Sequence, residues 1–425
     1  MKKSPAFPDL LPRFCELLSV ASVKGQKEDG APFGTEVKKA LDYTLDLAKS
    51  FGFETKNYDG YVGEVIFGEG KPFGILCHLD VVPAGNEKAW LSPPFTPTER
   101  DGNLYCRGVL DDKCGAICSL FALKKLKDEG YTPKRQIRLI LGCDEESGWG
   151  CIDHYVKCAK MPEEGISPDA EFPVIYAEKG IVHAKFKIKK LKNFTLTGGT
   201  RANVVCDYCK LVTYAENDYT LSDMLGLKKV GENAFESFGI AAHGSTPEKG
   251  KNAFNGVIAY LCHLGYLEKS VYDNFFADAL GLKNIKDETG ALTFSPDLAE
   301  TGTKYLYVTV DIRYPATKNY ADIEKILSKL ADFEIVHHQK PLFVDKNSDL
   351  VQTLLKVYNE VTGENAQPVS TGGGTYARAL KKGVAFGPAF GKEADSIHQP
   401  NEYMPIENIY KFTDILYKAL YKLCF

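Results

Sequence analysis

The stretch from Phe73 to Gly85, FGILCHLDVVPAG, constrains the fold of this chain more than any other. An apolar run of strand length delivers His78 and Asp80 and then breaks at Pro83 and Gly85. On a strand, side chains at i and i+2 share a face, so both residues are expected to look into one site at a strand's end. An imidazole that binds a metal through one ring nitrogen usually donates a hydrogen bond from the other, and a nearby carboxylate suits that orienting task. His78 is therefore a candidate ligand, with Asp80 beside it in a catalytic or orienting role. Alone, an HxD of this kind would read as a hydrogen-bonded loop histidine.

Four further clusters change that balance. Asp111 and Asp112 follow a glycine in GVLDDKCGA and precede a helical pattern; Asp144, Glu145 and Glu146 end an apolar strand pattern in LILGCDEESGWG; Asp169 lies in ISPDAEFP and His398 in SIHQPNEYMP. A pair of divalent cations a few ångströms apart needs one carboxylate able to bridge them, with a histidine and a carboxylate for each metal. The sequence supplies that set: His78 and Asp169 for one metal, Glu146 and His398 for the other, Asp111 between them. The adjacent pair Glu145 and Glu146 allows one to bind metal while the other faces the bound water as general base. Two divalent ions are the expected cofactors, Zn2+ first with Mn2+ or Co2+ as alternatives; carboxylate and imidazole ligands suit all three, so the ligand types do not set the native metal.

The order HLDVVPAG, RGVLDDK, DEESGWG, PDAEFP, GGTRANVV, AHGSTPEKGKNA, DIRYP, GGGTYAR and HQPNE resembles the co-catalytic dinuclear metallopeptidases that include aminoacylases and carnosinases. Within them it is most similar to the dipeptidase V branch, through PDAEFP and GGGTYAR, and the likeness spans nearly the whole chain. Cys114 departs from the pattern, standing where the DDK motif usually continues with glycine; it would tighten the turn after Asp112 or bring a thiol near the metals. The resemblance implies hydrolysis of dipeptides by a metal-activated water, with Glu145 taking the proton and passing it to the leaving amine. It implies that His243 stabilises the tetrahedral oxyanion, a task for an N–H donor where negative charge develops, and that Asn203 polarises the same carbonyl. Arg313 is implied to hold the substrate's C-terminal carboxylate, which a guanidinium can do through two parallel hydrogen bonds. The run Gly372 to Gly374 is not followed by the GK[ST] of a phosphate loop, and Gly373, Gly374 and Thr375 are expected to line the pocket for the substrate's C-terminal half. A cis peptide bond after Asp111 and a catalytically complete monomer, with His243 acting in its own chain, are also implied. Two other readings use the same residues. Deacylation of N-acyl amino acids is told apart by whether the substrate amine must be free, and a metal-dependent binding protein without turnover would be favoured by loss of Glu145 or a ligand, neither of which is lost.

At 425 residues the chain is long enough for two domains. A hydrophobic content of 44% and a charged content of 25% are those of a globular protein with a sizeable core. The net charge of -4 offers no basic stripe for nucleic acid. The twelve cysteines are scattered, several within apolar runs (Cys77, Cys118, Cys143, Cys262). After Lys2 and Lys3, prolines interrupt the region where a secretory apolar segment would have to be, and no apolar run approaches the roughly 20 residues that span a bilayer. A cytoplasmic protein with reduced thiols is expected, taking a small peptide as substrate, with no nucleic-acid or membrane partner. Cys206 and Cys209 form a lone CDYC pair, poor grounds for zinc without a second pair.

Helical patterns cover Pro8 to about Val20, Gly34 to Gly52 and Lys113 to about Glu129, and strand patterns cover YVGEVIF, FGILCHLD and QIRLILGC. A DG turn at Asp101 and Gly102 suggests a short hairpin. Strand, helix, strand in this order favours a βαβ unit and an α/β fold whose mostly parallel sheet gathers ligands at its carboxyl ends. Residues 1–179 and 339–425 are expected to form this catalytic domain, completed by a GVAFGPAFG strand and a helix from Ile406 to Leu423. Residues 180–338 are expected to form an inserted α+β lid domain, in which VIYAEKGIVHAKFKIKKL and KYLYVTVDIRY alternate as half-exposed strands around a helix-like AFNGVIAYLCHLGYL.

Overall fold

The computed structural model describes residues 6–214 and 217–425, which leaves Lys2 and Lys3 outside the described residues. The chain divides into two compact units. One comprises the chain through Tyr176, Val344–Val369 and Gly374–Phe425; the other comprises Ala177–Phe343 and Ser370–Gly373. The fold is α/β, with a sheet that is parallel at its centre and antiparallel at its edges.

In the first unit the strands lie in the order Glu54–Tyr58, Val62–Phe67, Gln136–Gly142, Pro72–His78, Glu164–Ser167, Lys382–Ala385. The last four run parallel, and the first two pair antiparallel at the edge. Pro72–His78 is flanked on both sides and buried from Phe73 onward, which is why it reads as an unbroken apolar run rather than an alternating one. Helix Lys113–Asp128 is buried continuously from Lys113 to Leu123 and packs on Pro72–His78, Leu10–Leu18 and Ile406–Cys424. Burying side chains such as Leu120, Phe121 and Leu123 there contributes about 1.5–3 kcal/mol each. The expected hairpin forms: Thr98–Arg100 pairs with Asn103–Tyr105 across Asp101 (φ 50°) and Gly102 (φ 79°). Its second strand also pairs with Tyr403–Pro405, which brings the chain after His398 alongside the chain before Asp111. Strand Glu54–Tyr58 has no apolar alternation in sequence and is largely exposed; its place in the sheet comes from pairing with Val62–Phe67.

The second unit is α+β and lies, in the chain, between parts of the first. Its sheet is antiparallel throughout, in the order Lys228–Lys229, Ala234–Phe238, Tyr208–Thr213, Phe194–Gly198, Thr293–Thr301, Tyr305–Tyr314, Gly180–Lys189, Asp332–Gln339. Helix Phe254–His263 buries Phe254, Val257, Ile258 and Leu261 in a core shared with Phe186, Phe194 and Phe235. All twelve cysteines are free thiols. Among the described residues, no helix is long and apolar enough to cross a membrane.

Candidate metal centre

Neighbouring parallel strands release the site residues from their carboxyl ends. Pro72–His78 ends on His78, with Asp80 two residues on; Gln136–Gly142 leads into Asp144, Glu145 and Glu146; Glu164–Ser167 leads into Asp169. Asp111 and Asp112 stand at the start of helix Lys113–Asp128, and the peptide bond between them is cis. His398 (φ 62°) precedes Tyr403–Pro405.

The side chains converge on Asp111. Its Oδ1 is 2.8 Å from His78 Nε2 and its Oδ2 is 2.9 Å from His398 Nε2. Asp169 Oδ2 lies 3.7 Å from His78 Nε2, and Glu146 Oε1 lies 3.2 Å from His398 Nε2. Two groups of three donors result, His78 with Asp111 and Asp169, and Asp111 with Glu146 and His398; within each, the donor atoms lie within 4.8 Å of one another.

His78 Nδ1 is 2.9 Å from the backbone carbonyl of Asp80. A carbonyl only accepts, so the proton sits on Nδ1 and Nε2 turns its lone pair toward the cluster. That Nε2 is buried, 2.8 Å from a carboxylate oxygen, and makes no aligned hydrogen bond. Positive charge between these two atoms satisfies the arrangement: burial opposes it, yet Asp169 and Asp111 raise the proton affinity of His78 well above its ordinary value, so a proton holds the place that a shared cation would take. The electrostatics point the same way. Burial opposes charge on His398, yet Asp111 and Glu146 raise it to about 11. Burial and then the charge of Asp111 raise Asp169 to about 7. Both shifts mark a cluster that favours added positive charge. Imidazoles and carboxylates around one carboxylate placed to bridge fit two divalent cations of the zinc, manganese or cobalt type.

Asp80 does not orient His78 through its carboxylate, as the sequence suggests; its backbone carbonyl takes that part. The carboxylate instead accepts from Glu145 N and Glu146 N, each at 3.1 Å, and so holds the turn that presents the two glutamates. Glu145 belongs to neither donor group, and its Oε1 accepts from Trp149 Nε1 at 3.1 Å. Burial pushes its carboxyl well above the usual range; His78 opposes that and the neighbouring Asp169 and Glu146 add to it. Asp144 serves the next helix, accepting from Gly150 N at 3.0 Å. Cys114 packs its sulfur on Met404 Sδ (3.4 Å) and Cys118 Sγ (3.7 Å). The close approach falls one residue later: a Cβ on Gly115 would lie 2.0 Å from Asp112 Oδ1.

Residues beyond the sequence expectation support the centre. Glu402, fully buried, accepts from Arg107 Nη1 at 2.6 Å, Leu110 N at 2.9 Å and Gly108 N at 3.2 Å, and so fixes the backbone leading into Asp111. Tyr376 sets its ring edge-on to His78 and Trp149, and its hydroxyl is 2.8 Å from Cys151 Sγ. Arg107 and Glu402 both stand inside motifs singled out in the sequence; opposite charges bracketing two such motifs were the available signal.

In the second unit, His243 Nδ1 accepts from Ser245 N at 3.2 Å, which leaves the proton of the neutral ring on Nε2. Asn203 is adjacent: its carbonyl accepts from Gly244 N at 2.8 Å, and Val204 bridges His243. Arg313 is buried, and its Nε and Nη2 clasp the carboxylate of Asp311 at 2.6 and 2.7 Å while Nη1 donates to the carbonyl of Gly372 at 2.8 Å. Gly373 N donates to Thr371 Oγ1 at 3.1 Å. Gly374 and Thr375 belong to the first unit, where Thr375 Oγ1 accepts from Ala377 N at 3.1 Å.

The sequence profile of Peptidase family M20/M25/M40 matches residues 74–422. The chain is 36% identical over 457 residues to the Bacillus subtilis protein named Putative dipeptidase YtjP, covering 98% of this chain and 97% of that protein. In fold it is similar to an M20 family metallo-carboxypeptidase from Sulfolobus solfataricus (TM-score 0.62, 16% identity, 97% of this chain and 98% of that one). It is likewise similar to human carnosine dipeptidase 1 (TM-score 0.62, 15% identity, 97% and 95%). With a profile match over most of its length and a relative aligned from end to end, the chain belongs to peptidase family M20/M25/M40 and is a metallopeptidase.

Proposed function

We propose that this metallopeptidase is a dipeptidase that hydrolyses unblocked dipeptides with a water activated between two divalent cations. The observation that carries the reading is the sharing of Asp111, one oxygen facing His78 and the other His398, between two groups of donors. The name of the Bacillus subtilis relative supports the substrate class. Cations held by His78, Asp111 and Asp169 and by Asp111, Glu146 and His398 would acidify a shared water and polarise the scissile carbonyl. Glu145 takes the water's proton and hands it to the leaving amine. The indole of Trp149 fixes one of its oxygens, and its raised proton affinity suits a group that must hold that proton between steps. The roles of His243 as oxyanion donor, of Asn203 beside it and of Arg313 as carboxylate clamp rest on the family resemblance; the Nε2–H tautomer of His243 suits the first of them.

The test is dialysis against a chelator followed by restoration with zinc, manganese or cobalt, and kcat/KM for a dipeptide, its C-terminal amide, the matching tripeptide and the N-acetylated dipeptide. Activity should vanish and return with metal. Asp311 and the Gly372 carbonyl already engage the Arg313 guanidinium, so no unpaired charge is left when the substrate lacks a carboxylate. Amide and tripeptide should still be slower than the dipeptide if Arg313 also contacts that carboxylate, and equal rates remove it from this role. Full activity in metal-free protein removes the two-cation reading, and preference for the N-acetylated substrate marks an amidohydrolase instead.

A further inference from the structure

In the first unit, the tip of the first hairpin and the end of helix Gly150–Cys158 bring together side chains that the peptidase reading does not use. Three residues join Glu54–Tyr58 to Val62–Phe67, and Asp59 (φ 53°) and Gly60 (φ 75°), both with positive φ, are the central pair of a turn that Tyr61 N closes on the Tyr58 carbonyl at 2.9 Å. Asn57 Oδ1 accepts from Gly60 N at 2.8 Å and fixes that turn. On the helix, His154 and Cys158 are four residues apart and share a face. The imidazole of His154 is stacked on Tyr61, ring centres 4.1 Å apart and planes 13° from parallel, which sets its orientation.

Each feature alone is ordinary: a solvated turn aspartate, a helix-surface histidine, an exposed thiol. Their convergence on one nitrogen is not. His154 Nε2 lies 3.0 Å from Asp59 Oδ2 and 3.5 Å from Cys158 Sγ, and one donor atom from each residue lies within 4.8 Å of the other two. Cys158 is exposed and the Asp59 side chain is 77% exposed, so a cation reaches the cluster from solvent and water completes its shell. Magnesium and calcium take oxygen ligands; a thiol, an imidazole and a carboxylate with a fourth position for water are a tetrahedral zinc set.

We propose that Asp59, His154 and Cys158 form a mononuclear zinc site that shares no residue with the centre around Asp111 and ties the hairpin tip to the helix. On binding, the Cys158 thiol releases its proton to solvent and His154 keeps its proton on Nδ1, so that Sγ, Nε2 and Oδ2 each present a lone pair to the metal.

Cobalt(II) is the probe, because thiolate ligation gives it a near-ultraviolet charge-transfer band that oxygen and nitrogen ligands do not, and no ligand proposed around Asp111 is a sulfur. The full chain, stripped with a chelator and titrated with cobalt, should develop the band and bind one more cobalt than Cys158→Ser, in which the band is lost. Asp59→Asn, which keeps the thiol, should move the cobalt midpoint to higher concentration, and added zinc should bleach the band of the unmodified chain. Absence of the band at saturating cobalt, its survival in Cys158→Ser, or failure of zinc to displace cobalt overturns the proposal, and none of these readouts depends on peptidase activity.

Discussion

Glu145 and Glu146 are neighbours in the chain with different partners: Glu146 faces His398 at 3.2 Å, and Glu145 is held by the indole of Trp149. Glu146→Gln should therefore weaken metal binding, while Glu145→Gln should leave metal content unchanged and lower kcat by about 10²–10⁴-fold, the usual contribution of a positioned base. Metal analysis alongside kinetics checks both, and the opposite pattern would exchange the two roles. A second prediction concerns the buried pair Arg107 and Glu402. Removing one member of such a pair costs about 3–5 kcal/mol because the other charge is left buried. Glu402→Ala should lose that much in denaturant unfolding under chelation and should also bind metal more weakly, since Glu402 fixes the N–H groups leading into Asp111; unchanged metal affinity would take the pair out of the centre's support. His78, Asp111, Glu146 and Asp169 were legible because each follows an apolar stretch, whereas His398 follows the polar GKEADSI and was legible only through the HQPNE motif. Arg107 and Glu402 were not, because their partnership spans 295 residues and each alone reads as a surface charge. Asp80 was visible but its task was not, since sequence spacing does not separate a backbone carbonyl from a carboxylate as the partner of His78.

At the scale of elements, the end of strand Gln136–Gly142 depends on a missing side chain. A Cβ on Gly142 would meet Tyr376 Oη at 2.5 Å and its ring carbons at 2.6 and 2.8 Å, and that ring stands edge-on to both His78 and Trp149. Gly142→Ala should displace Tyr376 and, as overpacking of a dense region does, destabilise by about 1–3 kcal/mol. Adding Tyr376→Leu should recover part of the loss; equal destabilisation in single and double variants would show that the ring is not what the methyl strikes. The strands that frame this site were legible as apolar runs because they are covered on both faces. Glu54–Tyr58 was not, since ETKNY has no apolar period and gains its place only by pairing with Val62–Phe67. The grouping of Ser370–Gly373 with the second unit is likewise invisible in composition: a glycine run marks a flexible backbone, and only contacts show to which unit it belongs.

For the molecule as a whole, the two units have separate hydrophobic cores, and the candidate ligands all belong to one of them. The core of the second unit, built around Phe186, Phe194, Phe235 and Tyr260, contains none of the residues around Asp111. A ligand that binds only folded protein stabilises what it binds, by about 2.7 kcal/mol per site at a free concentration a hundred times its Kd. Chains of more than one domain need not unfold in a single step. Calorimetry should therefore resolve two transitions. Zinc should move one of them to higher temperature, and a chelator should return it, while the other stays fixed in both conditions. Asp111→Ala removes the one residue common to both donor groups and should shrink the zinc-dependent shift to the part owed to Asp59, His154 and Cys158, and Asp111→Ala combined with Cys158→Ser should abolish it without moving the fixed transition. If zinc instead displaces one cooperative transition for the entire chain, the units unfold together and metal binding at the first stabilises the second.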